Sequence, residues 1–257
     1  MKKKKARFIL GYIMFLIGLS IGLAFSTFAL WVNLEGMSFW GYPESISYDP
    51  DLSVEAEISR LKCPVLLAEG ETSLVAVTVR NPFDKPALTY VKAHISMPDR
   101  LENMVRRTRS AYLSPGEETE IRWQISSENT IFDHMILARV FLKLTESHPP
   151  ARTKHCGIMS VDLWGLSSKQ ILTIVPTSSI TLMTIGGHLI WRSRTKDPKK
   201  VNLGIKITNL IGVLTVIGVI ASLLRIWEII LVVLTLIPVI LFSAISYHIG
   251  RMDSRYN

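Results

Sequence analysis

The chain has 257 residues, 48% of them hydrophobic, with 29 Lys plus Arg against 21 Asp plus Glu and a formal net charge of +8. That apolar content, with a positive mean hydropathy, points toward membrane segments rather than a wholly soluble domain. The charge is unevenly placed: residues 33–170 hold 15 basic and 18 acidic side chains, net −3, while the rest of the chain holds 14 and 3, net +11. Because the excess basic residues flank apolar stretches, where they resist translocation and meet anionic headgroups, the basicity reads as a topology signal and excludes a nucleic-acid footprint.

Residues 1–7 form a basic N-terminus, Lys2 to Lys5 with Arg7, expected to be cytoplasmic. Residues 8–31 carry no charge and exceed the roughly 20 residues that cross a hydrocarbon core about 30 Å thick, so they are predicted as transmembrane helix 1. A cleaved secretory signal is the alternative. Its apolar region usually runs about 7–15 residues and ends in small residues, whereas this one ends in Phe28, Leu30 and Trp31, so the segment is read as a retained anchor. Within it Gly18, Gly22 and Ser26 recur every four residues, a candidate helix-packing seam of small side chains.

Residues 33–170 change in texture to short alternating runs between turn residues and are predicted as an extracytoplasmic β-sandwich domain of about seven strands. The candidate strands cover 54–61, 74–80, 88–97, 104–113, 120–126, 135–144 and 157–163. In the fifth, Ile121, Trp123 and Ile125 share one face and Arg122 and Gln124 the other; in the second, Leu74, Ala76 and Thr78 alternate with Val75, Val77 and Val79, so both faces are expected to be partly covered. The segments Asn81-Pro82-Phe83-Asp84-Lys85-Pro86 and Ser114-Pro115-Gly116 have the composition of tight turns.

Three stretches carry a family resemblance: Leu67-Ala68-Glu69-Gly70-Glu71, then Val75-Ala76-Val77-Thr78-Val79-Arg80-Asn81, then Leu113-Ser114-Pro115-Gly116-Glu117. Their order, a Gly-Glu turn before a strand ending in Asn and a later Pro-Gly-Glu turn before another strand, resembles the immunoglobulin-like bacterial repeats of the CARDB (cell-adhesion-related) type. The resemblance covers roughly residues 54–147. It implies an immunoglobulin-like fold acting as a spacer or interaction surface, and no active site. The chain departs from such repeats in its two cysteines and its downstream apolar helices.

Cys63 and Cys156 are an even pair in the expected exported region, where disulfides persist, and are read as a disulfide. The alternative is a metal or redox site using His155, with His148. Adjacent residues on a strand point to opposite faces, so His155 and Cys156 would ligate one ion poorly. Arg106, Arg107 and Arg109 form the basic cluster away from the apolar flanks, either an interaction patch or a solvated strand face. His94 and His134 fall on or beside predicted strands without carboxylates at ligand spacing. No phosphate loop, nucleophile elbow, zinc-protease motif or paired-carboxylate signature is present in the sequence. A non-enzymatic protein without cofactor or metal is therefore expected.

Three more apolar segments follow, predicted as transmembrane helices at 171–191, 207–224 and 226–249, with a basic cytoplasmic loop at 192–206 and a cytoplasmic tail at 250–257. One helix over 207–249 would be a rod of roughly 60 Å, too long for a bilayer, so a break is placed at Arg225–Glu228. Gly204, Thr208, Gly212 and Thr215 make a second small-residue stripe, and Pro176 and Pro238 permit kinks. Broken helices also occur in transporters, but the apolar cores here lack the mid-membrane ionisable residues those need; His188 and His248 fall near the cytoplasmic ends. The expected fold class is thus membrane α-helical, with four transmembrane helices, plus an all-β immunoglobulin-like sandwich. The expected localisation is a multi-pass cell-membrane protein with both termini cytoplasmic, and the expected partners are the lipid bilayer and a protein, not nucleic acid. The leading functional expectation is an adhesion, interaction or scaffold domain on the outer face. The alternative is an accessory subunit of a membrane transporter or secretion complex. A signalling role is disfavoured by the short cytoplasmic segments.

Overall fold

The computed structural model describes residues 2–40, 56–98, 105–143, 152–194 and 203–253. Along the chain these form α1 (Lys2–Trp40), β1 (Glu57–Lys62), β2 (Leu66–Ala68), β3 (Thr72–Arg80), β4 (Ala87–Ile95), β5 (Val105–Leu113), β6 (Glu118–Ser126), β7 (Met135–Lys143), β8 (Arg152–Val161), α2 (Ser168–Arg194), α3 (Leu203–Leu224) and α4 (Trp227–Asp253). They divide into two compact units, one of residues 1–30 with 169–257 and the other Trp31–Ser168.

The helical unit holds helices long and apolar enough to cross a membrane. Among the described residues four candidate spans occur, Ala6–Phe39, Ser168–Ser193, Gly204–Leu224 and Trp227–Ala244, with mean hydropathy of 2.3, 1.2, 2.3 and 2.4. The expected break in the last apolar stretch falls at Arg225 and Ile226. Arg225 takes a left-handed φ of 61°, Ile226 N–H donates to Ala221 O at 2.9 Å, and Arg225 N–H to Ser222 O at 3.2 Å. This is the paired closure of a Schellman ending, with arginine in the position glycine usually takes. Pro176 and Pro238 lie inside α2 and α4.

The β unit contains two sheets, a three-stranded one in the order β1-β3-β6 and a five-stranded one in the order β2-β8-β7-β4-β5. Their facing sides share one core. Val75, Val77, Val79, Ile121, Trp123 and Ile125 come from the smaller sheet, and Val91, Ile95, Leu113, Ile136, Val140, Leu142 and Ile158 from the larger. The alternation that predicted β3 and β6 is the one that fills this core, each fully buried aliphatic side chain contributing about 1.5–3 kcal/mol. The outward Leu74 is exposed, so β3 is covered on its inner side and open at that position.

Three differences from the sequence expectation matter. An eighth strand, β2, pairs parallel with β8; a three-residue strand matched to one about ninety residues later has no local pattern to betray it. The last strand begins at Arg152, so Cys156 lies in its middle. Helix α1 continues past residue 31 to Trp40, because Val32 and Gly36, one helical turn apart, both find a buried position against β8. The predicted starts at 54 and 104 and the loop centre at 195–202 lie outside the described residues.

Candidate functional site

Cys63 follows β1 in the smaller sheet and Cys156 lies on β8 in the larger, and their sulfurs are bonded at 1.93 Å across a sequence separation of 93. The bond ties the two sheets together at the edge of the shared core. His155, next in sequence, sits on the opposite side of β8, the outer face of the five-stranded sheet. By register His155 faces Arg139 on β7, Arg139 faces His94 on β4, and His94 faces Arg106 on β5. One cross-strand row thus carries two imidazoles and two guanidinium-bearing residues.

Neighbouring side chains tie this row together. Arg139 Nε donates to Thr153 Oγ1 at 3.0 Å, and its guanidinium lies 5.6 Å from the centre of the Phe141 ring, within reach of a cation–π contact. The His94 ring meets Phe141 edge-on at 4.8 Å. Burial, reinforced by the Arg139 charge, holds the His155 imidazole down to a pKa of about 4, so it is neutral near pH 7.

Farther along the same face, α1 lies against the sheet. A methyl group built on Gly157 would sit 2.1 Å from Val32 O, and one on Gly36 would lie 3.4 Å from Gly157 N and 3.5 Å from His155 Cδ2. At 157 only glycine admits the helix backbone, whereas a methyl at 36 would make ordinary contact. Val32 is buried there, with Met135, Leu137 and Met159 on adjacent positions of β7 and β8. Trp31 closes the contact, its ring 4.9 Å from that of His134.

The arginine cluster is divided by strand geometry. Arg107 and Arg109 are two residues apart on β5, share a face and are exposed, while Arg106 occupies the alternate position. Strand β5 is an edge of its sheet, where charged side chains discourage unwanted strand pairing. Arg107 also lines a cleft of about 250 Å³ with Met97, Gln124, Ser126 and Asn129. His188 lies 6.2 Å from Trp191 on α2, His248 is on α4, and His148 lies outside the described residues. Among the described residues, no three His, Cys, Asp or Glu side chains group as metal ligands.

The small residues of α1 lie at close helix contacts. A methyl on Gly18 would meet Ser179 O at 2.7 Å and Met183 N at 2.8 Å on α2; one on Gly22 would meet Ser179 Oγ at 2.6 Å and Thr215 Cγ2 on α3 at 2.7 Å. Ser179 Oγ donates to Gly18 O at 2.7 Å, and Ser26 is buried beside Gly218. Of the second stripe, a methyl on Gly212 would face the Phe15 ring, whereas one on Gly204 would meet nothing within 4 Å among the described residues.

Two residues of the turn motifs acquire definite roles. Asn81 is fully buried and its side-chain N–H donates to Lys85 O at 2.7 Å and to Leu113 O and Ser114 O at 3.2 Å, so it clamps the two motif turns to each other. Glu71 accepts from Ser168 N–H at 3.1 Å and from the Ser168 hydroxyl, holding the first residue of α2. Sequence reading saw both as turn residues only. The glycine at 157, inside a strand, was the available signal for a close backbone approach.

No protein-family profile matches the chain, and no curated protein matches it. Among solved structures it is similar to a CARDB domain from Pyrococcus furiosus crystallised with di-metal ions, at 14% identity and a TM-score of 0.32, over 40% of this chain and 90% of that one. It is also similar to the Pseudomonas fluorescens alkylpurine DNA glycosylase AlkC, at 14% identity and a TM-score of 0.33, and to a β-glucosidase from Listeria innocua, at 19% and 0.30. The chain spans 30% and 16% of those two.

Proposed function

We propose that this is a non-enzymatic multi-pass membrane protein that presents an immunoglobulin-like domain to a protein partner on the outer face of the membrane. The observation that carries the reading is the outer face of the five-stranded sheet. One part of it is occupied by α1, and the remainder, over β4, β5 and β7, presents half-buried Arg139, His94 and Lys92 with the exposed Tyr112 of β5 on the same face. Aromatic and arginine side chains on a rigid sheet are the residue types that anchor protein contacts. The charge asymmetry of the sequence supports an orientation with both termini cytoplasmic and the β domain outside.

Photo-crosslinking groups placed in the full chain at Lys92 and Tyr112 are expected to capture a discrete protein adduct in cells, and one at Glu120 on the other sheet is not. Adducts arising only from the lipid-exposed positions Val213 and Phe242 would instead favour the accessory-subunit reading, in which the helices make the contact.

A further inference from the structure

The end of the β unit through which the chain enters and leaves carries two aromatic turn tips. Trp31 reaches this end beside His134, and Ser168 leaves it, held by Glu71 and by Ala68 N–H, which donates to Ser168 Oγ at 2.8 Å. Between these points two short turns project. In the first, His134 N–H donates to Ile131 O, and Phe132 and Asp133 have φ of 52° and 60°. In the second, Leu166 N–H donates to Leu163 O, and Trp164 and Gly165 have φ of 51° and 71°. Positive φ at both central residues marks the primed turn class, whose first central position favours Asn, Asp or Gly. Both turns place a bulky aromatic there, an uncommon backbone state for such residues. The two tips are adjacent: Ser160 N–H donates to His134 O at 2.8 Å, and Thr130 Oγ1 to Ser160 Oγ at 2.8 Å.

These aromatics do not fold back onto the domain. Trp164 is 91% exposed and Phe132 55% exposed. Two neighbouring turns with the same unfavourable backbone state and the same exposed side-chain type require something outside the domain to repay them. Both flank residues from which apolar spans run, Trp31 in α1 and Ser168 at the start of α2. Tryptophan and its like concentrate at the bilayer's headgroup level, where an apolar ring is buried and its polar edge stays wet.

We infer that Phe132 and Trp164 are a membrane-docking surface: both rings insert into the interfacial region of the outer leaflet and hold this end of the β domain on the lipid. The inference rests on the proposed membrane reading. Glu128, Asp133 and Asp162 lie within four residues of the tips in sequence, so the contact depends on the rings and not on attraction to anionic lipid. It is therefore insensitive to ionic strength, unlike a polybasic contact.

The test uses the full chain in phosphatidylcholine vesicles, with its disulfide intact and a nitroxide attached at one introduced cysteine: Phe132→Cys, Trp164→Cys, Phe83→Cys or Val213→Cys. Phe83 is 48% exposed on the turn at the opposite end of the domain, and Val213 is 57% exposed midway along α3. The ratio of oxygen to nickel-chelate accessibility is expected to be several-fold higher at 132 and 164 than at 83, highest at 213, and unchanged by 0.5 M salt. Ratios at 132 and 164 equal to that at 83, with 213 in lipid, overturn the inference alone; a water-accessible 213 overturns the membrane reading itself. Trp164→Asn, which suits the turn, gives a second measurement without a label. The fluorescence lost on that substitution is expected to be quenched by lipids brominated near the headgroup, and unquenched emission would reject insertion.

Discussion

The two sheets of the β unit bury their inner faces in one core and treat their outer faces in opposite ways. The three-stranded sheet meets water through a ladder of ion pairs, Lys62 to Glu120 at 2.7 Å, Arg122 to Glu120 at 2.6 Å and Arg80 to Glu118 at 4.0 Å. The five-stranded sheet is covered over part of its outer face by α1, seated where Gly157 leaves room for Val32, and carries half-buried arginine and histidine and the exposed Tyr112 over the rest. A sheet face that needs nothing from a neighbour is written in alternating charges; a face built to receive one is written in glycine, half-buried histidine and aromatics. That difference is the reason for placing the proposed contact on the larger sheet.

The largest expected effect breaks the tie between the two faces. Cys63→Ser opens the cross-link spanning 93 residues, and the loss of its constraint on the unfolded chain is worth about 4 kcal/mol. In the full chain in detergent the denaturation midpoint should fall accordingly. Hydrogen exchange should accelerate more in β1, β3 and β6 than in β7 and β8, since the smaller sheet has support on one side only. Equal acceleration in both sheets would contradict that asymmetry. Next in size is Gly157→Ala. Its new methyl would lie 2.1 Å from a backbone oxygen that cannot rotate away, so the helix must shift, at about 1–3 kcal/mol. Amides of residues 32–39 should exchange at least tenfold faster, while those of β3 and β6 stay as they were.

How much of this was legible beforehand follows from where each signal is stored. The apolar spans, the alternation of Ile121, Trp123 and Ile125, and the turn at Arg225 are local patterns, and helices, a strand and a helix end stand at those places. Strand β2 was not legible because three residues in a parallel pair have no period of their own. The extension of α1 was obscured by Asn33, Glu35 and Ser38, which break the apolar run around Val32 and Gly36. The row of His155, Arg139 and His94 depends on strand order, which brings together residues up to 61 positions apart and which no composition records. Arg106, Arg107 and Arg109 look like one patch in sequence, yet the pleat of a strand assigns neighbours to opposite faces.

The histidine under α1 gives a smaller, pH-dependent contrast. His155 has a pKa held down to about 4 in the fold, by burial first and the Arg139 charge second, against 6.5 for an unhindered imidazole. The unfolded chain therefore binds the proton more readily, and stability is complete above about pH 6.5 and falls as pH drops toward 4. Allowing for the ring's partial exposure, this amounts to about 1–2 kcal/mol. His155→Gln should flatten the profile of unfolding midpoint against pH across that window, and should also abolish any acid-induced increase in exchange over residues 32–39. A profile unchanged by the substitution would assign the acid sensitivity elsewhere.

The smallest expected effect belongs to the solvated face and completes the comparison. The Glu120 carboxylate is held below its ordinary range by hydrogen bonds from Lys62 and then Arg122, but it stands on the solvated face beside two exposed cations, where such pairs are screened and offset by side-chain ordering. Its depressed pKa would add stability above the unfolded carboxylate value of 4.5 and lose it as pH falls, the same direction as His155 but at a lower pH. Glu120→Gln should leave the unfolding midpoint in 0.15 M salt within measurement error, with a shift appearing only at low ionic strength. A large, salt-independent loss would mean that the smaller sheet's outer face is not simply solvated and carries a contact of its own.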